Sequence, residues 1–148
     1  MNTRPDTDQQ ALTDLTTYID SQRGDYTATI GADFIPTVQA HDSDRHTCLL
    51  RYQLSPEDSN PMRTALHGGL SYHIMQTSMQ LYCSYCLGRP TTVQNMQIAY
   101  LRPVPCTSPV YIRVHLNKAG RGLSYLTAEA LTDQAPDKIL LTATATFR

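Results

Sequence analysis

Five side chains fall on one narrow stripe of a helix that the sequence places at 67–87: Tyr72, His73, Gln76, Gln80 and Cys83. At a helical advance of about 100° per residue, all five lie within about 50° of a common centre line. The rest of the helix is largely apolar: Leu70, Ile74, Met75, Met79, Leu81, Tyr82, Tyr85 and Cys86 cover about half its circumference. That is wider than a helix with one wet face needs, so other structure is expected to wrap it. A polar stripe along such a helix is a place for chemistry. His73 titrates in the range useful to a general base, and Gln76, one turn on, could orient a water for it. The same histidine could equally hydrogen-bond within a subunit interface. Cys83 is a nucleophile by type, but nothing beside it activates the thiol. Cys83-Ser84-Tyr85-Cys86 has the spacing of a redox or zinc motif. Zinc needs two further ligands, which no second CxxC or HxxxH supplies. The pair also falls near the helix end rather than its start, where the dipole would lower a thiol pKa. Core packing is the plainer reading, and no metal site is expected.

The elements that must position this stripe are readable around it. Gly68 and Gly69 open the helix, Gly88 closes it and Pro90 forbids its continuation. Upstream, residues 1–8 read as a disordered tail. Residues 9–22 read as a short amphipathic helix carrying Ala11, Leu12, Leu15, Tyr18 and Ile19, with Gly24 as its stop. Strand character follows at 26–30, 33–40 and 46–54, where His46, Cys48, Leu50, Tyr52 and Leu54 share a face. A polar loop spans 55–63. Downstream, four strands are predicted at 91–102, 109–118, 123–131 and 138–147, with hairpin turns at 119–122 and 134–137. No repeat or linker divides the chain, so 9–148 reads as one domain. Strands, one long helix and a strand meander give an α+β architecture, an antiparallel sheet wrapped on a helix.

Composition narrows the function classes. At 148 residues the chain can bury roughly 70% of its unfolded surface without metal or disulfide staples. Twelve Lys+Arg against thirteen Asp+Glu give a net charge of −1 with no basic block, which argues against tracking nucleic-acid phosphates. Charged residues are only 17%, so part of the surface is expected to lie in a homo-oligomer interface. No apolar run is long enough to span a membrane. The opening MNTRPDTDQQ has no hydrophobic signal region, so a cytoplasmic location with the reduced cysteines Cys48, Cys83, Cys86 and Cys106 is expected.

The element order together with Leu66-His67-Gly68-Gly69-Leu70 at the helix start resembles the hot-dog fold of the PaaI-like (phenylacetate-type) acyl-CoA thioesterases. An Asn60-containing loop precedes that motif. Gln97-Ile98-Ala99-Tyr100-Leu101-Arg102-Pro103 looks like the family's strand ending in YLRP. Gly120-Arg121 and the closing Thr142-Ala143-Thr144-Ala145-Thr146-Phe147 complete the pattern over roughly residues 30–148. The resemblance implies an acyl-CoA thioester as ligand, no further cofactor, and a site shared between subunits of a dimer or tetramer. It implies that the Gly68 N–H, with Gly69, binds the thioester oxygen at the positive end of the helix, and that His67, by type a second candidate base, mainly shapes the loop. Asn60 and Gln80 would touch substrate. Lys118, Arg121 and Ser124 would meet the nucleotide end of CoA, with Arg102 and Arg63 as weaker candidates. Without the family context, Lys118 and Arg121 read equally as a solvated turn.

The chain departs from this family at the catalytic carboxylate. The position nine residues after the motif histidine holds Gln76 where the family has Asp or Glu, and no acidic residue occurs between Asp58 and Glu129. An amide is neither a general base nor a useful nucleophile at neutral pH. Thioester hydrolysis with an atypical base and non-catalytic acyl-CoA binding both remain open on this reading. A dehydratase needs a histidine with an acidic partner across the site, which the sequence does not supply near the helix.

Overall fold

The computed structural model describes residues 4–30, 34–132 and 137–148. Helix α1 (Arg4–Ile30) leads into strands β1 (Thr37–Asp42) and β2 (Thr47–Tyr52) and a single 3₁₀ turn, Pro56–Asp58. Then come helix α2 (Gly68–Leu87) and strands β3 (Val93–Tyr100), β4 (Val110–Ala119), β5 (Ser124–Thr132) and β6 (Leu141–Phe147). The six strands form one sheet in the order β1-β2-β4-β5-β6-β3, antiparallel throughout. It wraps α2, the arrangement that the hot-dog resemblance implies.

Alternation explains the wrap. Val110, Ile112, Val114 and Leu116 of β4, Leu126, Ala128 and Ala130 of β5, and Leu141, Ala143, Ala145 and Phe147 of β6 point inward and are buried. Alanines at the centre of β5 and β6 keep the inner face low, so a helix can lie close against it. Ile74, Met75 and Met79 of α2 fill that trough with no exposed surface, each contributing about 1.5–3 kcal/mol of apolar burial. The Tyr52 hydroxyl, 2.9 Å from Ser78 Oγ, satisfies polar groups in the same layer. At its end, α2 stops on Gly88 in the left-handed region (φ 65°), the expected glycine cap ahead of Pro90.

Helix α1 runs further than the sequence predicts. It begins at Arg4, inside the stretch expected to be a tail, and passes Gly24 through the residues read as a strand at 26–30. Residues 1–3 of that expected tail, and most of the turn expected at 134–137, lie outside the described residues. Ala11, Leu15 and Ile19, four apart, form the buried seam of α1. His41 of β1 ties it down: Nδ1 lies 2.7 Å from the Ala11 carbonyl and Nε2 lies 3.1 Å from the Tyr82 hydroxyl of α2. A carbonyl only accepts, so Nδ1 carries the proton. One buried imidazole thus joins α1, β1 and α2. Among the described residues, no helix is long and apolar enough to cross a membrane.

Candidate active site

The start of α2 is built by three contacts that local sequence makes intelligible. His67 caps the helix, its Nδ1 accepting the Gly69 N–H at 3.0 Å. The His67 N–H donates to the Asp58 carbonyl at 3.2 Å, hanging the loop on the 3₁₀ turn. From β3, the Tyr100 hydroxyl donates to the Gly68 carbonyl at 2.7 Å. The Gly69 N–H is therefore occupied. The Gly68 N–H forms no hydrogen bond among the described residues, as expected of a first-turn amide. Of the two amides that the sequence offers for an oxyanion, the structure leaves Gly68 free.

Tyr100, whose ring stands against Gly68, borders a cleft of about 350 Å³ lined also by Asn60, Leu66, Ser71, Arg102 and Val104, among others. Asn60 does not project freely into it. Its Oδ1 accepts the Thr64 N–H at 3.0 Å and its Nδ2 donates to Thr64 Oγ1 at 2.9 Å, so it holds the loop closed. Arg102 donates to the Ile139 carbonyl at 2.8 Å. Among the described residues, no carboxylate lines the cleft. Asp58, the acidic residue whose backbone reaches His67, turns its carboxylate onto the Ser55 N–H at 2.9 Å. Tyr100 and Ser71 were not singled out from the sequence. The residue string ending in YLRP carries Tyr100, but only the strand register brings its hydroxyl to α2.

The polar stripe runs from a half-buried face of α2 into the core at Cys83. Tyr72, His73, Gln76 and Gln80 are half-buried in the single chain, and Cys83 is fully buried. Gly68 falls between Ser71 of the cleft and Tyr72 of the stripe around the helix. His73 Nε2 sits 3.3 Å from Thr77 Oγ1, and its ring meets Phe34 edge-on at 5.8 Å. Burial pushes its pKa down, and no carboxylate orients it. Gln76 makes no hydrogen bond among the described residues, so its amide is available. Gln80 is partly committed: its Nε2 donates to the Thr91 carbonyl at 2.9 Å, pinning the chain after Pro90. Burial pushes the Cys83 and Cys86 thiols up, Cys86 to about 11, which suits packing rather than nucleophilic attack. Among the described residues, no group of three His, Cys, Asp or Glu side chains could hold a metal ion.

The residues expected at the nucleotide end separate from this site. Lys118 and Arg121 are exposed on the β4–β5 hairpin, and Lys118 lines a pocket with Tyr82, Tyr85 and Leu87 near the C-terminal end of α2. A 20-residue helix is about 30 Å long, so within one chain they stand far from Gly68. Ser124 corrects the sequence reading. It is buried, its Oγ makes no hydrogen bond among the described residues, and it lies beside the Cys83 thiol instead of at the surface. Inward alternation on β5 decides this, because Ser124 shares the face of Leu126 and Ala128.

No curated protein matches the sequence. Among solved structures, zebra fish thioesterase superfamily member 2 superposes with a TM-score of 0.76 at 17% identity, covering 89% of this chain and 95% of its own. The Mus musculus thioesterase superfamily member 2 gives 0.74 at 15%, over 91% and 94%. The E. coli PaaI protein from the phenylacetic acid degradation operon gives 0.71 at 12%, over 93% and 97%. At such identities these likenesses establish the fold. The family model described as the acyl-CoA thioesterase N-terminal domain matches residues 55–148, from the loop before α2 to the last residue. With well over half of its length so matched, this chain belongs to the acyl-CoA thioesterase domain family and carries the hot-dog fold.

Proposed function

We propose that this protein binds an acyl-CoA thioester in the PaaI-like manner, between two copies of the chain, and hydrolyses it slowly because Gln76 stands where the family has a carboxylate. The observation that carries the reading is the unpaired Gly68 N–H at the positive end of α2, against Tyr100, which lines an open cleft. In this reading the amide takes up the charge that develops on the thioester oxygen. Gln76 orients a water through its carbonyl oxygen or holds the substrate through its NH₂. Losing general-base assistance forfeits roughly 10²–10⁴ in rate. His73 is the group on the stripe able to accept a proton, weakly, since burial favours its neutral form without a partner to stabilise the cation. That Gln76 replaces the family's carboxylate, with no carboxylate lining the cleft among the described residues, also favours a second reading, a binder without turnover.

The test follows loss of thioester absorbance across short, medium and aromatic acyl-CoAs, for wild type, Gln76→Asp, Gly68→Pro and Gly68→Ala. Gln76→Asp is expected to raise turnover by roughly 10²-fold or more. Proline suits the first helical position and removes only the N–H, and His67 already has the extended backbone (ψ 134°) that precedes a proline well. Placed in the Gln76→Asp background, Gly68→Pro is expected to lower turnover about 10²–10³-fold. Gly68→Ala should be tolerated, since its Cβ would meet nothing closer than Tyr100 at 3.8 Å. An inert wild type with an active Gln76→Asp variant selects the binder. If no form binds or cleaves any acyl-CoA, the proposal fails.

A further inference from the structure

We infer that Tyr100 is a positioning residue for the Gly68 N–H, one of two jaws that hold the peptide following it; this rests on the acyl-CoA reading above. The Gly68–Gly69 peptide is gripped at both polar atoms. Its N–H donates to His67 Nδ1 at 3.0 Å, and its carbonyl accepts the Tyr100 O–H at 2.7 Å. One grip comes from the residue before the helix, the other from the end of β3, 32 residues beyond Gly68. First-turn amides have no intrahelical acceptors, so the helix alone fixes this end weakly. The gripped peptide shares the Gly68 Cα with the peptide that carries the Gly68 N–H, and holding one limits the swing of the other.

Three observations separate this from ordinary packing. Tyr100 is 53% exposed, whereas Tyr52 and Tyr82, with hydroxyls also bonded, are essentially fully buried. Its ring stands against Gly68, with Cε1 3.8 Å from where a Cβ would be. It also lines the open cleft next to the start of α2. Burial and the nearby Tyr72 push its pKa up, so the hydroxyl stays a donor at neutral pH. A donor at that point satisfies the carbonyl without competing for the Gly68 N–H, which an acceptor would do.

The experiment compares Tyr100→Phe with the parent chain in the wild-type and Gln76→Asp backgrounds. It reads backbone amide order parameters by NMR together with kcat and KM on an acyl-CoA. The order parameters of Gly68 and Gly69 should fall from about 0.85 toward about 0.6 while the middle of α2 stays unchanged. In whichever background turns over, kcat should fall about tenfold with KM moving less than about twofold. Unchanged order parameters overturn the inference, and so does an unchanged kcat, or a raised KM alone, which would make Tyr100 only a wall of the cleft. If neither background turns over, the acyl-CoA hydrolysis reading is what fails, and the glycine order parameters alone decide whether Tyr100 grips the peptide.

Discussion

At the scale of single residues, the site is defined by what each polar atom is already doing. Asn60 and Gln80 are candidates for touching substrate and His67 for shaping the loop, and all three spend hydrogen bonds on the fold: Thr64, the Thr91 carbonyl and the Gly69 N–H respectively. The Gly68 amide and Gln76 are left unspent. His73 is intermediate, and its environment gives a testable sign. Burial lowers its pKa in the folded chain. As pH falls through about 6.5 the unfolded chain takes up this proton before the folded one does. The unfolded state then binds more protons, so stability is full above that value and declines as pH drops toward the lowered folded value. The urea midpoint of wild type should therefore fall between about pH 7.5 and 5.5, and His73→Gln should flatten part of that decline. A His73→Gln protein that loses stability as steeply as wild type would show that the imidazole is not held neutral by burial.

At the scale of elements, the sequence was most legible where periodicity and punctuation agreed. Helix α2, opened by two glycines and closed by Gly88 and Pro90, falls within a residue of its expected bounds. Strands β4 to β6 follow from their alternation and from the turn at Gly120. Helix α1 was cut short because Gly24 reads as a stop and the residues after it, Asp-Tyr-Thr-Ala-Thr-Ile, are rich in β-branched and aromatic types. Propensity is a weak prior, and tertiary context overrides it. The site was less legible than the fold. Ser124 was placed by its neighbours in sequence rather than by its strand face, and Tyr100 reaches Gly68 only through long-range pairing. Continuity of α1 through Gly24 is itself testable. A Cβ at Gly24 would meet nothing within 4 Å, so Gly24→Ala should stabilise an exposed helix interior by about 0.5–1 kcal/mol. Denaturant titration reads this directly. A destabilised Gly24→Ala protein would mean that the helix ends there, with glycine as its cap.

At the scale of the whole molecule, the strand register offers a test of the proposed site between two copies. Val93 pairs with Phe147, Phe147 with Ser124, and Ser124 with Ala119, so the hairpin bearing Lys118 and Arg121 shares an end of the sheet with the start of β3. Tyr100, and with it Gly68, stands at the other end of β3. β3 is an edge strand whose outer side meets no other strand among the described residues, and it carries neither lysine nor proline to block pairing. If two copies join antiparallel along β3 about a two-fold axis, each Gly68 comes to the end of the partner where the partner's hairpin stands. The cationic hairpin and the free amide, about a helix length apart in one chain, then become neighbours. This predicts complementation between two defective chains in the Gln76→Asp background. One carries Gly68→Pro, and the other carries Lys118→Ala with Arg121→Ala. Each alone should hydrolyse acyl-CoA poorly. Refolded together in equal amounts, half the dimers are mixed, and each mixed dimer holds one site with an intact amide and an intact hairpin. Activity should recover to about a quarter of the parent value. Sites contained within single chains would give no recovery on mixing, because every site would then carry its own chain's defect.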